Sequence, residues 1–372
     1  MLRASLTSPR RVLMTLDAVG GVWRYALDLA RLLGQAHVET ILVGFGPAPD
    51  AAMTSEIAGL PGVHLVWTGR PLDWMAKTPD ELDGIGSLIA EIALRERADL
   101  IHVNLPAQAL EIPGDWPVVA VSHSCLRSWW ATVKGEPLPP AWGWQAEREE
   151  AGLRRADLVM APSASHAAQI AALYQLSAPP HVVHNSAGEA VSCQSGRAPF
   201  VLSAGRWWDE GKNGAVLDEA AGSTGWPVFL AGSTAGPDGN RFEPRHAVCT
   251  GSLGSAALGS LMGRAGLFAA PSLYEPFGLS VLEAAWRGTP LLLADIPTFR
   301  ELWDGAAAFV PSREPQAWAQ ATADLAQSPD RRARLGQQAR ERATRYGRDR
   351  QRAAVLAAYR TALAARSTSE AA

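Results

Sequence analysis

Short runs of consecutive apolar residues alternate along this chain with longer stretches in which apolar positions recur at helical spacing. The runs at 11–16, 38–44, 63–67, 100–103, 118–121 and 158–161, and the pair at 182–183, read as strands buried on both faces. Between them, 22–33 sets Ala26, Leu29, Ala30 and Leu33 on one helical face, and 81–95 has a similar period. Strands separated by helices predict a parallel, doubly wound sheet that binds ligands at the strand carboxyl ends. The alternation breaks at 126–155. There Trp129, Trp130, Trp142 and Trp144 are mixed with Pro137, Pro139 and Pro140, ahead of a charged helix at 147–155.

A polar stretch at 188–199 has little periodicity and reads as a linker. A second alternating series follows, with strands expected at 200–204, 228–231, 247–250, 267–270, 291–294 and 307–310. Two α/β units of similar size would place two sets of strand carboxyl ends on either side of a cleft. The boundaries read as 1–190, 191–345 and 346–372, the last a helix and tail expected to cross back to the first domain. The stretch 329–365 reads as helices, and 331–352 carries nine arginines against Glu341 and Asp349. Such a run is either a solvated helix face or a patch for an acidic partner or a membrane surface.

Composition narrows this picture. At 372 residues, with 47% hydrophobic and 19% charged residues and a net charge of −3, the chain is long enough for two cores. The absence of a basic excess argues against nucleic acid as a partner. Cys125, Cys193 and Cys249 are far apart and lack zinc or redox spacing, which suggests buried thiols in a reducing, cytoplasmic setting. No stretch approaches the ~18 apolar residues of a membrane span. Peripheral contact at the inner face of a membrane stays open.

The candidate chemistry centres on one stretch after the 267–270 strand: Pro271-Ser272-Leu273-Tyr274-Glu275-Pro276-Phe277-Gly278-Leu279-Ser280-Val281-Leu282-Glu283-Ala284. It opens a helix that ends at Gly288-Thr289-Pro290. Glu275 is expected just before the first turn and Glu283 within it. A helix start offers unpaired N–H groups and the positive end of a dipole, which suits phosphate. Carboxylates beside such a seat suit sugar hydroxyls. Ser280-x-x-Glu283 also has capping-box spacing, which would give Glu283 a purely structural role.

After 200–204 comes Gly205-Arg206-Trp207-Trp208-Asp209-Glu210-Gly211-Lys212-Asn213. Its glycines are one residue too far apart for a P-loop, and Asn213 stands where a magnesium-binding hydroxyl would be needed. Arg206 and Lys212 could still offset a pyrophosphate's charge without a metal. Gly20-Gly21, where the first strand becomes the first helix, is either a tight turn or a place of close ligand approach. His123, after the 118–121 strand, is either a satisfied loop residue or a polar contact at the reacting centre. Ser122 and Ser124 form no nucleophile elbow.

Together these motifs resemble the retaining GT-B glycosyltransferases of glycosyltransferase family 4, the glycosyl transferases group 1, over almost the whole chain. The most specific element is the E-x7-E run from Glu275 to Glu283. Ser203-Ala204-Gly205-Arg206 with Lys212-Asn213, Gly20-Gly21-Val22-Trp23-Arg24-Tyr25 and Asp99-Leu100-Ile101-His102 also match. The resemblance implies two Rossmann-like domains, with acceptor binding on the N-terminal side and the nucleotide sugar on the C-terminal side. It implies that Arg206 and Lys212 grip the donor diphosphate. Glu275 and the amides of Phe277, Gly278 and Leu279 would meet the donor sugar, and Glu283 the ribose. It places Gly20 and Gly21 near the phosphate, His123 near sugar and acceptor, and the base near Gly251, Ser252 and Leu253.

The expected activity moves a hexosyl unit from a UDP-sugar or GDP-mannose to a glycan, lipid-linked or small-molecule hydroxyl, with no cofactor or metal. A UDP-sugar 2-epimerase and an inactive sugar-nucleotide-binding protein are the alternatives. The Trp/Pro-rich insert at 126–144 matches no motif and is expected to shape acceptor choice.

Overall fold

A computed structural model of the chain describes residues 8–188, 196–237 and 239–369. Cys193 and most of the expected linker lie outside the described residues. The chain divides into two compact units. The first comprises residues up to Ala131, Glu136–His184 and everything from Asp349 on; the second comprises Thr132–Gly135 and Asn185–Arg348.

The first unit carries β1 (Arg11–Asp17), α1 (Gly21–Gln35), β2 (Glu39–Phe45), α2 (Ala51–Ala58), β3 (Val63–Trp67), α3 (Ile85–Arg95), β4 (Leu100–Val103), β5 (Val118–Val121), α4 (Leu126–Val133), α5 (Gly143–Arg155), β6 (Leu158–Ala161), α6 (Ala164–Leu173) and β7 (His181–Val182). Its seven strands form one parallel sheet in the order β3-β2-β1-β4-β5-β6-β7. Apolar runs become central strands because both faces are covered. Val12, Met14 and Leu16 pack on α1, whereas Leu13 faces Ile41, Ile89 and Ile101 on the other side.

The second unit carries β8 (Ala198–Ala204), α7 (Gly214–Ala221), β9 (Val228–Ala231), β10 (Val248–Gly251), α8 (Ser255–Arg264), β11 (Ala265–Ala270), α9 (Leu279–Trp286), β12 (Leu291–Ala294), α10 (Pro297–Trp303), β13 (Ala308–Val310), α11 (Pro315–Ala326) and α12 (Pro329–Ala343). Its six-stranded parallel sheet has the order β10-β9-β8-β11-β12-β13. Both units are doubly wound α/β.

The last helix, α13 (Arg348–Ser369), belongs to the first unit. Val355, Ala358, Tyr359, Ala362 and Leu363 form a helical stripe that joins the cluster of α1 and β1.

Three sequence expectations change. The helix expected at 81–95 is split: a 3-10 turn covers Pro79–Leu82, then Gly84 at φ 75° restarts the chain as α3. Gly84 reverses the backbone at little steric cost, and its N–H is held by Glu111 Oε2 at 2.7 Å. The helix expected at 147–155 begins at Gly143, and α4 supplies a further helix inside the Trp/Pro-rich insert.

The arginine run, finally, is not simply a solvated face. Arg332 donates to the Leu325 and Ala326 carbonyls at the end of α11 and lies over the Trp226 ring. Arg342 donates to the carbonyls of Leu302 (3.0 Å) and Asp304 (2.7 Å) at the end of α10. These cations satisfy orphan helix carbonyls and complement the dipoles there. Arg331, Arg334, Arg345 and Arg350 remain exposed. Among the described residues no helix is long and apolar enough to cross a membrane. Cys125 is buried as expected, whereas Cys249 on β10 is only half-buried.

Candidate active site

In the second unit, parallel strands deliver the loops after β8, β9, β10 and β11 to one edge of the sheet. The loop after β8 is packed tightly against its neighbour. Gly232, just past β9, has φ 124°, and a Cβ there would meet the Gly205 carbonyl oxygen at 1.9 Å. Only glycine lets the two strand ends approach so closely. Gly205 N–H donates to the Ala231 carbonyl (3.0 Å), and Trp207 N–H to that of Ser233 (2.8 Å).

Asp209 then shapes the turn. Its Oδ1 accepts from Gly211 N–H at 2.9 Å, and its Oδ2 accepts from Arg206 Nη2 at 3.2 Å. The Arg206 guanidinium also lies 5.3 Å from the Trp208 ring centroid. Arg206 is thus held at the loop surface rather than left to wander.

This loop is stitched to the one after β11. Leu273 N–H donates to the Gly211 carbonyl at 2.9 Å. Asn213, at φ 55°, donates through Nδ2 to the carbonyls of Pro271 (3.0 Å) and Ser312 (2.6 Å). Asn213 therefore braces three strand ends, a role the P-loop comparison did not suggest. Lys212 Nζ lies 2.5 Å from Glu275 Oε2, with both side chains mostly buried. Ser272 Oγ is 3.5 Å from the same oxygen. Glu275 is therefore not a free carboxylate: it is half of an ion pair that fixes the ammonium.

The helix start differs from expectation. Gly278 is the N-cap at φ 90°, where a Cβ would meet Phe299 at 3.0 Å, so α9 begins at Leu279. Ser280 is then the second helical residue, and the Ser280/Glu283 capping box does not form. Glu283 lies beyond the first turn, which holds no acidic residue. The first helical bond runs from Leu282 N–H to the Gly278 carbonyl at 3.1 Å, so the amides of Leu279, Ser280 and Val281 precede it. The Phe277 ring is buried edge-on against Tyr346, so the side chain itself is packed in the core rather than turned to a ligand. Ser252 and Leu253 follow β10 on the same edge.

In the first unit, Gly20 is the N-cap of α1, with φ −141°, and Asp17 Oδ1 accepts from the N–H groups of Val19 (2.9 Å) and Gly20 (3.1 Å). Neither glycine of the pair has a positive φ. A Cβ on Gly21 would meet nothing within 4 Å. Position 21 therefore does not require glycine, and the space above it is open.

His123 follows β5. Its Nε2 lies 2.8 Å from Asn104 Oδ1, and its ring meets Tyr25 edge-on at 4.4 Å. Burial, reinforced by His102 and His166 nearby, pushes its pKa down to about 3. Burial lowers His102 to about 4, despite its hydrogen bond to Asn104. Both rings are neutral near pH 7. Asn104, Tyr359 and Thr15 escaped the sequence reading; only the position of Asn104 just past a buried strand could have signalled it.

Comparison with known proteins bears on the family and the fold. The Glycosyltransferase Family 4 model matches residues 19–187, and the Glycosyl transferases group 1 model matches 243–342. The D-inositol 3-phosphate glycosyltransferase of Saccharomonospora viridis is 39% identical over 103 residues, which is 27% of this chain and 24% of the relative. The O-antigen chain mannosyltransferase RfbU of Salmonella typhimurium is 35% identical over 60 residues, 16% of this chain and 17% of its own. The chain thus spans a quarter or less of the length of these curated relatives.

The fold matches over far more of the chain. Sucrose-phosphate synthase from Thermosynechococcus elongatus superposes with TM-score 0.75 at 16% identity, over 92% of this chain and 96% of that one. Anabaena HepE in complex with UDP and glucose gives 0.69 at 17% identity, over 93% and 98%. The chain has the two-domain GT-B fold and belongs to the group 1, family 4-like glycosyltransferases.

Proposed function

We propose that the chain transfers a hexosyl unit from a nucleotide-diphosphate sugar to a hydroxyl of a glycan, lipid-linked or small-molecule acceptor, with retention at the anomeric carbon. The observation that carries this reading is the braced pair of loops in the second unit. Arg206, Lys212 and the opening amides of α9 are gathered at one sheet edge, and Glu275 sits 2.5 Å from the lysine. Two cations and a helix N-terminus suit a diphosphate, and the adjoining carboxylates suit sugar hydroxyls. The names of the curated relatives support glycosyl transfer, and the UDP and UDP-glucose held by HepE support a nucleotide-sugar donor.

In this mechanism the incoming diphosphate shares Lys212 with Glu275, and the Glu275 carboxylate turns to hydroxyls of the transferred sugar. The bond from the anomeric carbon to the phosphate oxygen breaks, and a bond to the acceptor oxygen forms on the same face. The acceptor's proton passes to the departing phosphate, and the nucleoside diphosphate leaves. Arg206 and Lys212 stabilise the charge that develops there, preorganised by Asp209 and Asn213. Glu283 binds the ribose, and the loop at Ser252 and Leu253 takes the base. His123, neutral, accepts a hydrogen bond from a substrate hydroxyl.

With two cations facing the diphosphate, turnover is expected to survive EDTA. A thermal-shift panel of UDP, GDP and ADP sugars tests the donor assignment. One nucleotide series should raise the melting temperature of wild type and not of Lys212→Ala. Equal stabilisation of both proteins, or of neither, would contradict the reading.

A further inference from the structure

Asn104 lies just past β4, 1% exposed, and is held on all sides. Its backbone N–H donates to Thr15 Oγ1 (2.9 Å), and its Nδ2 donates to the Thr15 carbonyl (2.6 Å). A carbonyl oxygen can only accept, so the amide end of this side chain must face Thr15 and Oδ1 must face away. Facing away, Oδ1 lies 2.8 Å from His123 Nε2 and 3.2 Å from His102 Nε2. An amide oxygen accepts at two lone pairs and donates nothing, so both imidazoles must carry their proton on Nε2. The far side of His102 agrees, because Tyr359 OH lies 2.7 Å from its Nδ1, which accepts from the phenol.

We propose that Asn104 is a positioning residue that locks His123 in the Nε2–H tautomer and so presents a bare, hydrogen-bond-accepting Nδ1 to substrate. The inference rests on the reading that His123 meets a substrate hydroxyl. Nδ1 of His123 has no hydrogen-bond partner among the described residues, and the Tyr25 ring fixes the plane in which that lone pair lies. The burial that depresses both histidines keeps the ring neutral, so the lone pair is available across the working pH range. The lock is built from three strand ends of one sheet: Thr15 on β1, Asn104 after β4 and His123 after β5. The Tyr359–His102 arm adds α13, so the C-terminal helix bears on the same oxygen. An imidazole free to exchange tautomers would spend part of its time offering a donor where a hydroxyl needs an acceptor.

The direct test is the 15N NMR spectrum of histidine-labelled protein, which separates protonated from bare ring nitrogens. Wild type should show His123 and His102 only as Nε2–H. A His123 protonated on Nδ1 would overturn the proposal without any variant. Asn104→Ala should mix the His123 tautomers and lower kcat about 10- to 100-fold with the donor KM little changed. Asn104→Asp keeps an accepting oxygen, so it should retain the Nε2–H tautomer. Its negative charge raises the His123 pKa, so activity should fall at low pH where wild type is flat. Thermal melts of both variants separate loss of fold from loss of tautomer. If a folded Asn104→Ala keeps a pure Nε2–H signal and full turnover, the lock is refuted. If His123→Ala itself retains full turnover, the underlying reading of His123 fails instead.

Discussion

Replacing Lys212 by Ala tests the loop pair most sharply. The Nζ to Oε2 separation of 2.5 Å corresponds to roughly 7 kcal/mol of gross attraction at an effective dielectric of 20. Desolvation cancels most of that within the intact pair, but removing the lysine alone leaves Glu275 an unpaired, mostly buried carboxylate, at a cost of about 3 kcal/mol. A melting temperature lowered by roughly 6–12 °C is therefore expected, since about 1 kcal/mol moves a domain of this size by roughly 2–4 °C. Turnover of the folded variant should fall separately. Losing one preorganised donor at a developing anion costs about 100- to 1,000-fold in kcat, or roughly 2.7–4 kcal/mol. Steady-state release of nucleoside diphosphate, read beside a thermal melt of the same preparation, separates the two quantities. A folded variant that turns over as wild type would refute the assignment of Lys212 to the leaving group. A variant that fails to fold would instead show that the ion pair is chiefly structural.

Three other perturbations have definite outcomes. Gly278→Ala places a side chain at φ 90° and 3.0 Å from Phe299, and should cost about 1–3 kcal/mol by thermal melt while weakening nucleotide binding. Glu149 is buried, and that burial, with Asp73 adding to it, raises its carboxyl to about 7. Folding therefore takes up a proton between the ordinary 4.5 and about 7. The contribution of Glu149 to stability should fall by roughly 3 kcal/mol as pH rises through that window and then level off, while His102 and His123, lowered by burial, contribute in the opposite direction. The difference in stability between wild type and Glu149→Gln, measured from pH 4 to pH 8, should carry that fall, because the other titrating groups are common to both. Tyr359→Phe removes the donor to His102 Nδ1 and should cost about 1–2 kcal/mol by chemical denaturation. Unchanged stability there would mean that His102 finds another partner.

Much of the fold was legible because central parallel strands must be apolar on both faces. The runs at 63–67, 100–103, 118–121, 158–161, 228–231 and 291–294 coincide with observed strands to the residue. The candidate site was legible in part. Arg206, Lys212 and Glu275 all lie at strand carboxyl ends, where parallel topology gathers such groups. That Lys212 and Glu275 would form one ion pair was not legible, because they are 63 residues apart and meet only when β8 and β11 lie side by side.

The start of α9 departs from the capping-box spacing for a local reason. A left-handed Gly278 caps the helix through its backbone, so the Ser280/Glu283 spacing that resembles a capping box carries no cap. The Asn104 cluster was invisible for the opposite reason: its members come from β1, β4, β5 and a helix 255 residues downstream of Asn104. No local pattern encodes the orientation of one amide.

The most direct test of the account is acceptor-dependent transfer by the purified chain in EDTA. A nucleotide sugar chosen from the thermal-shift panel is incubated with a panel of hydroxyl acceptors, and the product anomer is read by proton NMR. The account predicts nucleoside diphosphate released one for one with a glycoside of the donor's own anomeric configuration. Epimerised sugar formed without acceptor, an inverted glycoside, or tight nucleotide binding with no transfer would contradict it.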